Sequence, residues 1–215
     1  MSKDALEDKK VQAIRDILEA ATEVFAEEGF GGARVDEIAR RAGVNKAMMY
    51  YRIGDKATLY AEVLHHVFSG TADRLHQKLD PIASPEEKLR IYVRTFARTV
   101  QENPRLPPIM LQEVASGGRN LPDIVIQDLG RIILLLAGLL EEGVEKGVFV
   151  EANPVVIHIM VISTISMTSV MRPRLGEIAA SRREYAGALE RFETSQAAVA
   201  RDVEDLILRA LKPSP

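Results

Sequence analysis

Apolar residues in this chain return every three or four positions over most of its length, and nowhere do they alternate over a stretch long enough for a strand. That spacing leaves helices as the regular structure the chain can build. Val11, Ile14, Leu18, Ala21 and Phe25 make one such stripe, which predicts a first helix stopped by Gly29. Asp55 can cap a helix running to about Leu79 before Pro81. Ser84-Pro85-Glu86-Glu87 is a capping box with proline at the first helical position. Asn103-Pro104, Gly117-Gly118, Lys146-Gly147 and Asn153-Pro154 punctuate the helices that follow, and Arg172-Pro173-Arg174 with Gly176 is expected to form a loop before a last helix from about Arg182 to Leu211. The expectation is an all-α chain of about nine helices. The first three form a compact domain within residues 11–70, and the remainder, 71–215, form a larger bundle. No Gly/Ser-rich linker separates the two, so the fourth helix should belong to both and couple them rigidly.

Two helices are unusually apolar. One centres on Ile132 to Leu140, and the other spans the 17 residues from Val155 to Met171, which carry no formal charge. A membrane-spanning helix needs about 20 mostly apolar residues. The second stretch is shorter and is interrupted by Ser163, Thr164, Ser166, Thr168 and Ser169, so it is expected to lie buried on most sides in protein, with no membrane partner. A helix apolar nearly all round needs cover all round, and a second copy related by a two-fold axis supplies it. The chain is therefore expected to be a homodimer. With 47% apolar residues among 215, a substantial core can be buried. Cysteine is absent, which excludes disulfides, thiolate catalysis and cysteine metal sites and suits a reducing cytoplasm. Residues Ser2 to Lys10 are polar and charged, with no apolar signal segment; a cytoplasmic location is expected.

The stretch from Val35 to Ile53 carries the chemistry. It has the shape of a helix-turn-helix, with the motif at about 34–53. Ile38 and small Ala39 face inward, Gly43 takes the turn, Val44 plugs the corner and Asn45 caps the second helix. Met49 and Ile53 then face inward, leaving Lys46, Ala47, Met48, Tyr50 and Arg52 pointing out. Although the net charge is −3 overall, six bases (Arg34, Arg40, Arg41, Lys46, Arg52, Lys56) outnumber three acids (Asp36, Glu37, Asp55) between Arg34 and Lys56. A basic face inside an acidic protein suits a DNA-contacting surface. Such a helix reads bases with its N-terminal residues while flanking groups grip phosphate. Lys46 can donate to guanine or to phosphate, and Ala47 or Met48 can meet a thymine methyl. Tyr50, Tyr51 and Arg52 can donate to phosphate oxygens, and Lys56 adds a charge at a helix N-terminus. An isolated tyrosine pair would more often pack in a core. This pair follows a capped recognition helix and is flanked by Arg52 and Lys56, which favours DNA.

These residues resemble the TetR-type regulator family over roughly residues 11 to 70. The match lies in Gly29-Phe30, Ile38-Ala39, Ala42-Gly43-Val44, Lys46, Tyr50-Tyr51, Asp55-Lys56 and Leu59, with a weaker echo in Gly143-Val144-Glu145-Lys146-Gly147. The resemblance implies base or near-base contacts from Lys46 and Ala47, phosphate contacts from Tyr50, Tyr51 and Lys56, and dimerisation through the last two long helices. Arg34 stands where a Thr or Ser usually caps the first motif helix, which weakens the cap and can add a phosphate contact. Met48, Arg52 and Ile53 also depart from the common pattern, leaving the operator sequence open.

The expected partners are therefore double-stranded operator DNA, a second copy and a small apolar or amphipathic effector; the alternative is a regulator of the same fold without a small-molecule ligand, controlled by a protein partner. Candidate effector-pocket residues are Tyr92, Phe96, Met110, Val114, His158, Met160 and Met167, because methionines adapt to irregular apolar shapes; each is also an ordinary core residue type. Four histidines are present, His65, His66, His76 and His158, but no HExxH, GxSxG or phosphate-binding glycine loop accompanies them. No enzyme activity, metal or cofactor is expected.

Overall fold

The computed structural model describes residues 3–80, 84–181 and 195–213. Nine helices lie among them: α1 (Lys3–Gly32), α2 (Val35–Arg41), α3 (Lys46–Arg52), α4 (Lys56–Leu79), α5 (Pro85–Glu102), α6 (Leu106–Ala115), α7 (Asp123–Glu145), α8 (Pro154–Ser181) and α9 (Gln196–Leu211). The expected start of the last helix, from about Arg182, lies outside the described residues. The capping expectations hold: side-chain oxygens of Asp55, Ser84 and Asn153 accept backbone N–H groups at the starts of α4, α5 and α8, satisfying donors that helix geometry leaves unpaired.

The helices divide into two compact units. The first holds residues up to Phe68 together with Pro108–Gln127, and the second holds Ser69–Pro107 and the residues from Asp128 onward. The first unit thus takes in α6 and the start of α7 as well as α1 to α3, and α4 contributes residues to both units.

In the first unit α1 buries Ile17, Ala20, Ala21, Val24 and Phe25. This is one step round from the stripe read off the sequence: Ala21 and Phe25 are common to both, Ile14 and Leu18 sit at its edge, and Val11 is exposed. Phe25 and Phe30 pack on Tyr60 of α4 with ring centroids 4.8 and 4.9 Å apart. Gly29 breaks the α1 helix with φ 66° and ψ 175°. A Cβ there would fall on the Gln112 side-chain amide, whose nitrogen donates to the Ala26 carbonyl at 3.0 Å. The next residue of α6, Glu113, is buried and accepts from the Tyr60 hydroxyl at 2.9 Å and from the Asn120 amide at 3.2 Å. Burial and the adjacent carboxylate push the Tyr60 phenol well up. Two consecutive residues of α6 therefore hold it to the α1 kink and to α4.

In the second unit α5 packs against α8 and α9. Leu89, Tyr92, Val93, Phe96 and Val100 meet a core that includes Ile157, Val161 and Ile165 of α8 and Val199, Val203, Ile207 and Leu208 of α9. Glu204, almost fully buried on α9, is held by Arg94 at 2.9 Å and Arg90 at 3.3 Å, the pairing a buried carboxylate requires.

Two expectations about α8 need correction. No loop forms at Arg172-Pro173-Arg174: the helix continues through Pro173 to Ser181. Proline's fixed φ is compatible with a helix, although it removes one helix hydrogen bond and crowds the carbonyl four residues back; residues 171–174 are exposed. Nor is α8 buried on most sides. Ile157, His158, Val161 and Ile165 face the core, while Val155, Val156, Ile159, Met160, Met167, Val170 and Met171 are exposed. Residues Pro154–Ile178 are long and apolar enough to cross a membrane by length and composition.

Candidate nucleic-acid interface

α2 and α3 are each only seven residues long, too short to persist alone, so their placement depends on anchors. α2 buries Ile38 and Ala39, and α3 buries Met49 completely. Between them Gly43 adopts φ 66°, the left-handed conformation that favours glycine. The Val44 N–H donates to the Ala39 carbonyl at 3.0 Å, closing the turn. Asn45 caps α3, its side-chain oxygen accepting from the Met48 N–H at 2.7 Å. On the other side, Arg41 reaches Glu37 at 2.8 Å and Glu27 of α1 at 2.7 Å, locking α2 to α1. Hydrogen bonds from Arg40 and Arg41 hold the Glu37 carboxyl at about 2.

With Met49 as anchor, the rest of α3 turns outward. Lys46, Ala47, Met48, Tyr50 and Tyr51 are all exposed, and Tyr51 is 90% exposed. A tyrosine so bare is not serving a core; its ring and hydroxyl are available to a partner. Arg34, at the start of α2, makes no side-chain capping bond and is exposed, as its departure from the family pattern implies.

Two predicted phosphate donors also have partners within the chain. Lys56 is half-buried, and its ammonium donates to the Phe30 and Ala33 carbonyls at 2.8 and 3.2 Å while lying 4.6 Å from the Phe30 ring centroid. It closes the end of α1, where unpaired carbonyls and the negative end of the helix dipole favour a cation. Arg52 is likewise half-buried and donates to the Lys10 carbonyl at 3.2 Å. Both cations flanking the tyrosines thus also bond to backbone carbonyls at or near α1. A contact missed from the sequence joins Lys46 to Asp36 of α2, 2.9 Å apart; the two residues are ten apart on different helices, so no periodicity links them.

Of the proposed effector residues, Tyr92, Phe96 and His158 come together in the second unit. The Tyr92 hydroxyl and His158 Nδ1 are 2.6 Å apart, and the Phe96 and His158 ring centroids are 5.4 Å apart. Burial pushes the Tyr92 phenol up and pulls His158 down to about 4. The others lie elsewhere in the chain's units or on its surface. Met110 belongs to the first unit, and Val114, Met160 and Met167 are 75%, 47% and 56% exposed. The reason on α8 is angular: residue 160 lies about 200° round a helix of 3.6 residues per turn from residue 158. Among the described residues no group of His, Asp or Glu is placed to hold a metal ion.

A closed turn between two short anchored helices, the second bare along one side, defines a helix-turn-helix DNA-binding module. Residues 17–63 match the model of the bacterial regulatory proteins of the tetR family, and residues 85–199 match the tetracyclin repressor-like C-terminal domain. The chain belongs to the TetR family of transcription regulators and is not an enzyme. It is 30% identical over 139 residues to the HTH-type transcriptional repressor NicS of Pseudomonas putida, an alignment spanning 62% of this chain and 64% of NicS. It is 24% identical to the HTH-type transcriptional regulator RutR of Escherichia coli over 92% of this chain and 89% of RutR. The fold also matches the crystal structure of FadR from Bacillus subtilis in complex with stearoyl-CoA, with TM-score 0.67 and 19% identity over 92% of this chain and 98% of that one.

Proposed function

We propose that this DNA-binding regulator is a cytoplasmic, dimeric repressor that grips a palindromic operator through α3 and is released by a small amphipathic effector held in the second unit. The observation that carries the DNA-reading assignment is the bare row Lys46, Ala47, Met48, Tyr50, Tyr51 on a helix fixed by buried Met49 and capped by Asn45. Lys46, Ala47 and Met48, at the N-terminal end, face base edges; Tyr50, Tyr51 and Arg34 serve phosphates. The exposed apolar face of α8 supports the dimer, because a two-fold partner can cover that face with its own copy. For the effector, the Tyr92–His158 pair offers polar groups inside an apolar core, the composition of a site for an amphipathic molecule. The fold relative FadR, crystallised with stearoyl-CoA, is consistent with such a ligand.

The test compares operator and scrambled DNA at several salt concentrations. Lys46→Ala should cost about 1–3 kcal/mol of discrimination at one position of each half-site. Tyr51→Phe, which loses a neutral donor, should weaken both DNAs alike by about 1 kcal/mol, with little change in salt slope. Reversal of the two outcomes would mean that α3 is docked the other way.

A further inference from the structure

Lys46 opens α3 at the end where a cation is badly placed. The helix dipole already puts partial positive charge there, and α3 has no acid in its first turn. The opposing charge comes instead from another helix: the Asp36 carboxylate, in the first turn of α2, lies 2.9 Å from the Lys46 ammonium. Their side chains are 72% and 51% exposed, so packing does not force them together. The neighbouring acid, Glu37, faces a different task and is bound to Arg40 and Arg41. The two acids of α2 thus divide their work, one held within α2 by Arg40 and Arg41 and the other reaching across the turn to α3. An exposed ion pair adds little stability, and a carboxylate beside a DNA-facing surface repels phosphate. The pair is therefore poorly explained as a stabiliser.

We infer that Asp36 is a positioning residue for sequence reading, an inference that rests on the assignment of α3 as the base-reading helix. An ammonium has three donors. Lys46 can keep one on Asp36 while presenting another to the O6 and N7 acceptors of a guanine. A phosphate that draws Lys46 aside must break the pair and sit near a carboxylate, so the same residue that orients Lys46 penalises non-specific contact. Specificity gained by disfavouring the wrong partner is a general device of selective interfaces.

The duplexes that wild-type protein enriches from a random pool supply the operator. Binding to it and to a scrambled duplex is then measured across salt for wild type, Asp36→Ala, Asp36→Asn, Lys46→Ala and the Asp36→Ala/Lys46→Ala double variant. Asp36→Ala should bind scrambled DNA about 3–10-fold tighter, with a steeper salt dependence, and should lose about fivefold or more of the operator-to-scrambled ratio. Asp36→Asn removes the charge but keeps the acceptor, so it should bind both DNAs tighter while retaining most of the ratio. With Lys46 already removed, Asp36→Ala should leave the ratio where it was. Equal tightening on both DNAs by Asp36→Ala, or the same loss of ratio in the absence of Lys46, would overturn the inference and leave Asp36 a simple repulsive charge. A wild type that enriches no sequence would instead overturn the base-reading assignment beneath it.

Discussion

α3 and α8 both hold apolar side chains out to solvent, on opposite terms. α3 is seven residues long, fixed by one fully buried methionine and an asparagine cap, and its bare side mixes Lys46, Met48, Tyr50 and Tyr51. α8 is 28 residues long, and its bare side is a nearly uncharged field of Val155, Val156, Ile159, Met160, Met167, Val170 and Met171. Cations and phenols suit a charged, wet partner such as DNA. Aliphatic side chains and methionines suit a dry interface, and a monomer rarely leaves such a patch open. Exposure alone therefore says little; the polarity of what is exposed tells the two partners apart.

The comparison can be broken most sharply at α8. Ile159→Asp combined with Met167→Asp places two charges in each copy of the proposed interface, and two-fold symmetry counts both twice. Association should weaken by about 4–8 kcal/mol, giving a monomer by sedimentation at micromolar concentration with its helical circular dichroism retained. A wild type already monomeric there, or a variant still dimeric, would remove α8 from the interface.

On α3 the buried and bare residues should separate cleanly. Met49→Ala should cost about 2–5 kcal/mol of stability in urea melts. Tyr51→Ala should leave the melt unchanged and act only on DNA. Equal destabilisation by the two would mean that Tyr51 packs against something in solution.

The core side of α8 has a pH signature that its bare side lacks. His158 is pulled from 6.5 to about 4 by burial, so the unfolded chain binds its proton first as pH falls. The stability from keeping His158 neutral is fully present above about 6.5 and should be lost between about 6.5 and 4, on the order of 2–3 kcal/mol. Melts at pH 7 and pH 4 on wild type and His158→Gln measure it; an identical pH dependence in both proteins would show that His158 is not the group responsible.

A smaller effect is expected beside α3. Lys56→Ala should lower stability by about 1–2 kcal/mol through the lost bonds to the Phe30 and Ala33 carbonyls. An unchanged melt with weaker DNA binding would assign Lys56 to phosphate alone.

What could be read from the sequence follows the range of the forces involved. Gly43, Asn45 and Met49 were legible because a turn, a cap and an inward position at fixed spacing each impose a residue type within a few positions. Ser84 and Asn153 were legible for the same reason. The backbone bonds of Lys56 and Arg52 were not, since each reaches a carbonyl more than 20 residues away in sequence. The placement of Met160 and Met167 was hidden for a related reason: a uniformly apolar helix has no periodicity to say which side faces the core, so Met160 and His158 looked alike. Pro173 misled because proline usually ends or kinks a helix, whereas α8 runs through it to Ser181.

The most direct test is selection of wild-type binding sites from a random duplex pool, followed by footprinting of the enriched sequence. Two copies of α3 related by a two-fold axis must enter major grooves about 34–36 Å apart, or a multiple of that spacing. The expected result is an inverted repeat with protected half-sites at that separation, and Lys46→Ala should relax one position in each half. An asymmetric single site at full occupancy, or a pool with no enriched sequence, would contradict a dimer that reads DNA through the exposed row of α3.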